Sequence, residues 1–482
     1  MSYPSIYPTG TTIYDPDKCF NGYTLYQAKE HGALLIDMNG GEVNLWQGLD
    51  GSPQRLLPGG QVMGHLGQRP SLFASMEWMD LVQVDWDGNI VWKFDHFEYI
   101  EDPGEEPCWQ ARIHGDYQRE GCPVGYYVPG QTPLVEGGKT LILGHKNVRN
   151  KKISDKMLID DHIYEVDWAG NILWEWSCNE HFDELGFSEA AKNALYRDPN
   201  VRFSGVGGAG DWMHFNNMAV LGPNKWYDAG DQRFHPDNII FDGRESSMSG
   251  IIDRATGKIV WRLGPEYDIY SELGAIIGQH HVHMIPRGLP GEGNILIFDN
   301  GGWAGYGNTS VNSPRGSHIY RRDYTRVLEI DPTTMKIVWQ CTPSEMGLLV
   351  PQTAFKFYSP FVSSVQRLPN GNTLITFGAA GRMIEVTRDH QIVWEYISPY
   401  FGKGALPFNM VYRAYRYPYD YVPQIERPQE TPVAKLDIST FRVPGAKAPG
   451  AQKTTIVEGV RPYEAADNFC MATEAENKKL GR

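Results

Sequence analysis

Apolar and polar positions alternate in short runs along most of this chain, and one such run recurs. An apolar strand leads into a turn, usually begun by Asp, and then into a second apolar strand that ends in Trp. The copies are LLIDMNGGEVNLW to Trp46, VQVDWDGNIVW to Trp92, YEVDWAGNILW to Trp174, GIIDRATGKIVW to Trp261, LEIDPTTMKIVW to Trp339 and IEVTRDHQIVW to Trp394. Period-two alternation around a Gly- or Asp-bearing turn is the pattern of a β-hairpin. Upstream of most copies lies a second strand pair, as in TPLVEGGKTLILG, HHVHMIPRGLPGEGNILIF and SSVQRLPNGNTLITF. Four antiparallel strands per unit, six times over, predict an all-β, six-bladed β-propeller.

The Trp residues are spaced 46 to 87 residues apart, so long loops must be inserted. The largest stretches, 101–130, 178–212, 223–235 and 302–326, are expected on one face. Two β-sandwiches in tandem are the alternative architecture, but no linker-like stretch separates the repeats. The pattern stops near residue 425, which predicts a propeller over 1–425 and an irregular tail over 426–482. That tail either wraps the surface, contacts a second copy in a homo-oligomer or is disordered.

Composition narrows the partners. Of the 482 residues 41% are hydrophobic and 21% charged, enough for a packed core. The net charge of −14 disfavours a nucleic-acid surface, which needs clustered Lys and Arg. MSYPSIYPTG has no signal-peptide character, no apolar run reaches membrane-spanning length, and the six cysteines form no CxxC pair. These features predict a cytoplasmic protein with reduced thiols, away from membranes, acting on a small molecule.

The candidate chemistry is histidine. His214 in DWMHFNN, His280, His281 and His283 in GQHHVHM, and His114 in RIHGDYQREG stand at the entries of first strands, and His145 ends the second strand of its blade. First strands line the channel of a propeller, so residues at their entries converge. Imidazoles gathered in this way bind a metal, shuttle protons or act as nucleophiles. His114, His214 and His280 are therefore expected to be catalytic or metal-ligating, with Asp116 as a further ligand or orienting carboxylate. The cofactor implied is one divalent ion, if any. Read singly, each histidine is more simply a hydrogen-bonded structural residue, and His235, His283 and His318 are taken so. His31, His96, His181 and His390 follow turn or loop patterns and should face solvent.

WMHFNN, QHHVH with NILIFDNGG, and FYSPFVSSVQRLPNGNTLITFGAAGRMIEV resemble the arylsulfotransferase family over roughly residues 80 to 400. The resemblance implies a six-bladed propeller and sulfuryl transfer between phenols through a histidine nucleophile, aided by further histidines and an arginine. His214 and His280 match family histidines. The nucleophile's place, three residues before Tyr358, holds Phe355, and the family arginine's place holds Ala304. Phe cannot attack sulfur, and a lost cation leaves the transferred anion less stabilised. Tyr358 is then a candidate proton donor, and His145, His281, Lys356 and Arg382 are candidate substrate-binding residues. Three functions stay open: metal- or histidine-assisted chemistry of hydrolase or lyase type on a small, phenolic molecule; sulfuryl transfer with His281 or His114 as nucleophile; and a non-enzymatic propeller that binds proteins.

Overall fold

The computed structural model describes residues 8–71, 76–199, 210–267, 269, 272–403 and 407–437. They form an all-β propeller built from antiparallel meanders. Four strands, Phe215–Val220, Ile239–Gly243, Met248–Ile252 and Ile259–Leu263, make one sheet, and His280–Met284, Ile295–Asp299, Arg326–Ile330 and Ile337–Cys341 make the next. A third sheet runs from Ser364–Arg367 to Ile392–Ile397 and adds Gly10–Tyr14 at its edge. The late strand Ala414–Tyr417 pairs with Tyr23–Ala28, so sequence from both ends of the repeat region shares one sheet. Residues 51–94 and 113–177 join in an eight-stranded sheet in which His114 pairs with Glu77.

The tryptophans show why the hairpin repeats. Trp46, Trp92, Trp261, Trp339 and Trp394 are buried, and each donates its indole N–H to a carbonyl in the turn of the next repeat's hairpin. The acceptors are Asp85, Trp168, Pro332, Arg388 and, for Trp394, Met38, at 2.8–3.0 Å. Trp174 holds the ladder position of Trp92, Trp261, Trp339 and Trp394, but Trp176, two residues further along the same strand and at the place of Trp46, makes this bond to Gly257 O at 2.9 Å. Trp174 is half-buried beneath the Arg254 guanidinium. A hydrophobic ring with one donor suits an inter-sheet seam, because it buries apolar area and satisfies a turn carbonyl together.

The insertions do not share a face, contrary to the expectation. In a meander, consecutive connections alternate between the two ends of the sheet. Segments 178–212 and 302–326 leave from the end where His145 faces Asp161 and His280 faces Phe298, and they touch one another through Tyr306 with Trp212 (2.8 Å) and Arg315 with Asp198 (2.9 Å). The stretch 101–130 is divided, with residues 101–112 leading into the strand start at Ile113, at the histidine end, while 120–130 and 223–235 leave from the far ends, where Arg119 pairs with Thr140 and Val220 with Ile239.

The propeller unit continues to Lys435. Val433 and Tyr14 exchange backbone hydrogen bonds of 2.8 and 2.9 Å, so residues just past 425 still pack on the sheets. Residues 438–482 lie outside the described residues. The five described cysteines are free thiols. No helix among the described residues is long and apolar enough to cross a membrane.

Candidate functional site

Three imidazoles meet where the strands Ile113–Arg119, Thr140–Val148 and Phe215–Val220 begin or end. The His114 and His145 rings stack with centroids 4.0 Å apart, and the His214 ring stands edge-on to His114 at 5.0 Å. His214 adopts φ +54, a left-handed conformation that turns its side chain out of the strand path.

Carboxylates surround these rings. Glu77 Oε1 lies 2.8 Å from His145 Nδ1, and Asp161 Oδ1 lies 3.6 Å from His145 Nε2. Asp211 Oδ2 lies 2.5 Å from His214 Nδ1. Glu77 is fully buried and also accepts from Arg69 (2.9 Å) and Arg112 (2.7 Å). Burial opposes its charge, but Arg112 and His145 outweigh it and hold the carboxyl down to about 2.

The three imidazoles consequently differ in charge. Burial disfavours a proton on His145, but the Asp161 and Glu77 carboxylates overcome this and push it up to about 9. His214 is likewise raised, with Asp211 outweighing burial. His114 is held well below the ordinary range by burial and by the charges of His145 and His214. One imidazole whose proton is disfavoured thus sits between two whose protons are favoured.

Polar atoms in this cluster lack partners. His114 Nε2, His145 Nε2 and Asp161 Oδ2 are buried and make no hydrogen bond. Donor atoms of these same three residues lie within 4.8 Å of one another. Orphaned buried atoms are costly, and three residues that each carry one and bring donor atoms together suit a cation better than an empty core. His214, 14% exposed at its side chain, opens the cluster toward solvent.

The other sequence-derived candidates fall elsewhere. His280 stands at the entry of its strand, but Nδ1 bonds Asn300 Oδ1 (2.8 Å) and Nε2 accepts from the Val362 N–H (3.1 Å), leaving neither nitrogen for a ligand. Asp116 is not beside the His114 ring; a register break after Ile113 turns it to Arg55 (2.5 Å) and Arg413 (2.9 Å). His281 accepts from the Val365 N–H and reaches Tyr415 Oη at 3.2 Å, deeper among the first strands. Arg382 pairs with Glu395 on the neighbouring strand at 2.6 Å. Lys356 and Phe355 are exposed on the short 3-10 turn Ala354–Phe357, so the place aligned to the family nucleophile faces outward. Tyr358 is half-buried, with its acidity lowered by burial and by Asp323 rather than by the histidines.

Sequence reasoning missed Glu77, Asp161, Asp211 and Arg244. A signal existed for Asp161, since LIDDHIY puts two acids inside an apolar strand. Arg244 bears on the missing family cation. A β-carbon at Gly278 would lie 3.6 Å from Ala304 Cβ and 3.8 Å from Arg244 Cζ. The guanidinium of Arg244, from the turn after the strand Ile239–Gly243, therefore lies near Ala304, stacked on Trp303 and paired with Glu245.

The fold and this mouth-side cluster define a propeller with a histidine–carboxylate centre. The family profile described as arylsulfotransferase (ASST) matches residues 131–399, more than half of the chain. The chain belongs to the arylsulfotransferase family. No curated protein matches it significantly. Similar solved structures include a protein of unknown function from Bacteroides caccae (11% identity, TM-score 0.40, 82% of this chain and 98% of that one). Others are the Myceliophteria thermophila Cps50 (Swd1) β-propeller domain (9%, 0.37, 83% and 90%) and virginiamycin B lyase from Staphylococcus aureus (11%, 0.33, 81% and 84%).

Proposed function

We propose that this protein is an enzyme on a six-bladed arylsulfotransferase scaffold, whose site holds one divalent ion and acts on a small phenolic molecule. The six-blade count is supported by dividing the eight-stranded sheet between residues 94 and 113, and by six indole bonds that return from Trp394 to Met38. A cytoplasmic setting and a tail that contacts the propeller or a second copy belong to the same proposal.

One observation carries the metal reading: His114, His145 and Asp161 each have a buried atom without a hydrogen bond, and donor atoms of these three residues lie within 4.8 Å of one another. These residues would hold the ion, with His214 as the next imidazole. Bound there, a divalent ion supplies Lewis-acid polarisation of a substrate oxygen. Glu77 accepts the Nδ1 proton of His145 and so leaves Nε2 as the lone-pair nitrogen once the second proton departs. Asp211 does the same for His214, whose Nε2 then exchanges a proton with a substrate hydroxyl at the mouth. Elemental analysis of untagged protein tests this reading, with thermal unfolding in chelator against added zinc or manganese as a second readout.

Family membership favours a second reading, sulfuryl transfer with a histidine other than the aligned one. Arg244 beside Ala304 would offset part of the missing charge. The excess of carboxylates around His114 argues against it, because a sulfate ester is an anion. The assay uses 4-nitrophenyl sulfate with a phenol acceptor. Rapid, acceptor-dependent release of nitrophenol that chelator leaves unchanged would establish sulfuryl transfer and refute the metal reading.

A further inference from the structure

A second cluster of charge lies in the channel interior, apart from the histidine–carboxylate centre. Arg55, in the strand Gly51–Leu57, and Arg413, just before the strand Ala414–Tyr417 of another sheet, share one carboxylate, Asp116. Arg55 Nη2 is 2.5 Å from Asp116 Oδ1, and Arg413 Nη1 is 2.9 Å from Asp116 Oδ2. Arg413 Nη2 also donates to Asn216 O (2.6 Å). Both guanidiniums are almost completely buried. Arg55 Nε and Nη1 and Arg413 Nε have no hydrogen-bond partner.

We propose that the channel interior binds a small inorganic monoanion of the halide class, held between Arg55 and Arg413. Two buried cations facing one carboxylate leave surplus positive charge in a place that water screens poorly, and a compact anion removes it. Burial holds the nearby imidazoles His65 to about 3 and His283 to about 4, so neither adds a charge of its own near neutrality. Asp242, the other carboxyl facing Arg413, is pushed up to about 7 by burial, so it offers a full countercharge only above neutrality. Gly125 permits the arrangement. A β-carbon there would stand 2.0 Å from Arg55 Nη1, so only glycine lets the guanidinium lie on the backbone.

The test is thermal unfolding slightly below neutral pH at fixed ionic strength, with chloride exchanged for gluconate. Fixed ionic strength removes general screening as the cause. The wild-type midpoint should fall by on the order of 1–2 °C without halide. Arg55→Gln should abolish that dependence. Wild-type crystals grown in bromide give an answer even if the variant does not fold. An anomalous peak between the two guanidiniums supports the proposal, whereas water or sulfate there, or a midpoint indifferent to halide, overturns it. Metal content is independent of halide, so failure here is distinguishable from failure of the metal reading.

Discussion

Replacing Glu77 with Gln keeps the shape of the side chain and removes its charge. The carboxylate is fully buried and meets three basic groups, Arg69 at 2.9 Å, Arg112 at 2.7 Å and His145 at 2.8 Å. Removing one partner of a buried ion pair typically costs about 3–5 kcal/mol, because the remaining charge is left uncompensated. Here two guanidiniums are stranded, partly relieved by the Arg69 bond to Asp102 at 2.5 Å. A loss of roughly 3 kcal/mol by urea unfolding is expected. The same change lowers the pKa of His145, which Glu77 helps to raise to about 9. In the wild type, metal binding must displace that proton, so affinity should rise about tenfold per pH unit up to about 9. In Glu77→Gln the rise should level off at lower pH, while affinity at the plateau falls about 10–100-fold through the lost orienting bond. A variant within about 1 kcal/mol of wild type, with an unchanged pH profile, would refute the reasoning.

Further outcomes follow from the same contacts. Trp176→Phe removes the donor to Gly257 O and should cost about 1–2 kcal/mol by thermal unfolding, whereas Trp174→Phe should cost less than about 1. His280→Asn should destabilise the fold by about 1–3 kcal/mol and leave metal content unchanged, since both ring nitrogens serve the backbone and Asn300. The apo protein should lose stability on the alkaline side. The folded pKa of His145 lies above its ordinary 6.5, so its stabilisation is complete below that value and disappears as pH rises through about 9. Urea titrations at a series of pH values read this directly, and His145→Gln should flatten that limb.

The repeat was legible because each hairpin states its own geometry: alternation sets the strands, and the terminal Trp marks the seam. Trp174 stands at the expected ladder position yet cedes the seam bond to Trp176, because two tryptophans share a strand face and only the acceptor at Gly257 separates them. Strand-entry histidines were legible as a class, which brought out His114 and His214, with His145 beside them on the second strand. Their ranking was not. Whether an entry histidine is available depends on what its nitrogens already hold, and the Asn300 and Val362 partners of His280 come from distant segments. The acidic residues hid for the reverse reason. Glu77 and Asp211 look like ordinary polar residues until pairing sets them against His145 and His214. Asp116 shows the limit of counting along a strand, since a register break after Ile113 sends it to Arg55 and Arg413.

The most direct test of the central claim is the metal content of untagged protein, measured beside Asp161→Asn and His114→Ala after loading with zinc or manganese and desalting. About one divalent ion per wild-type chain, lost in both variants while the fold persists, is the predicted result. Folded wild-type protein that retains no ion after loading, or variants that retain as much as wild type, would contradict it.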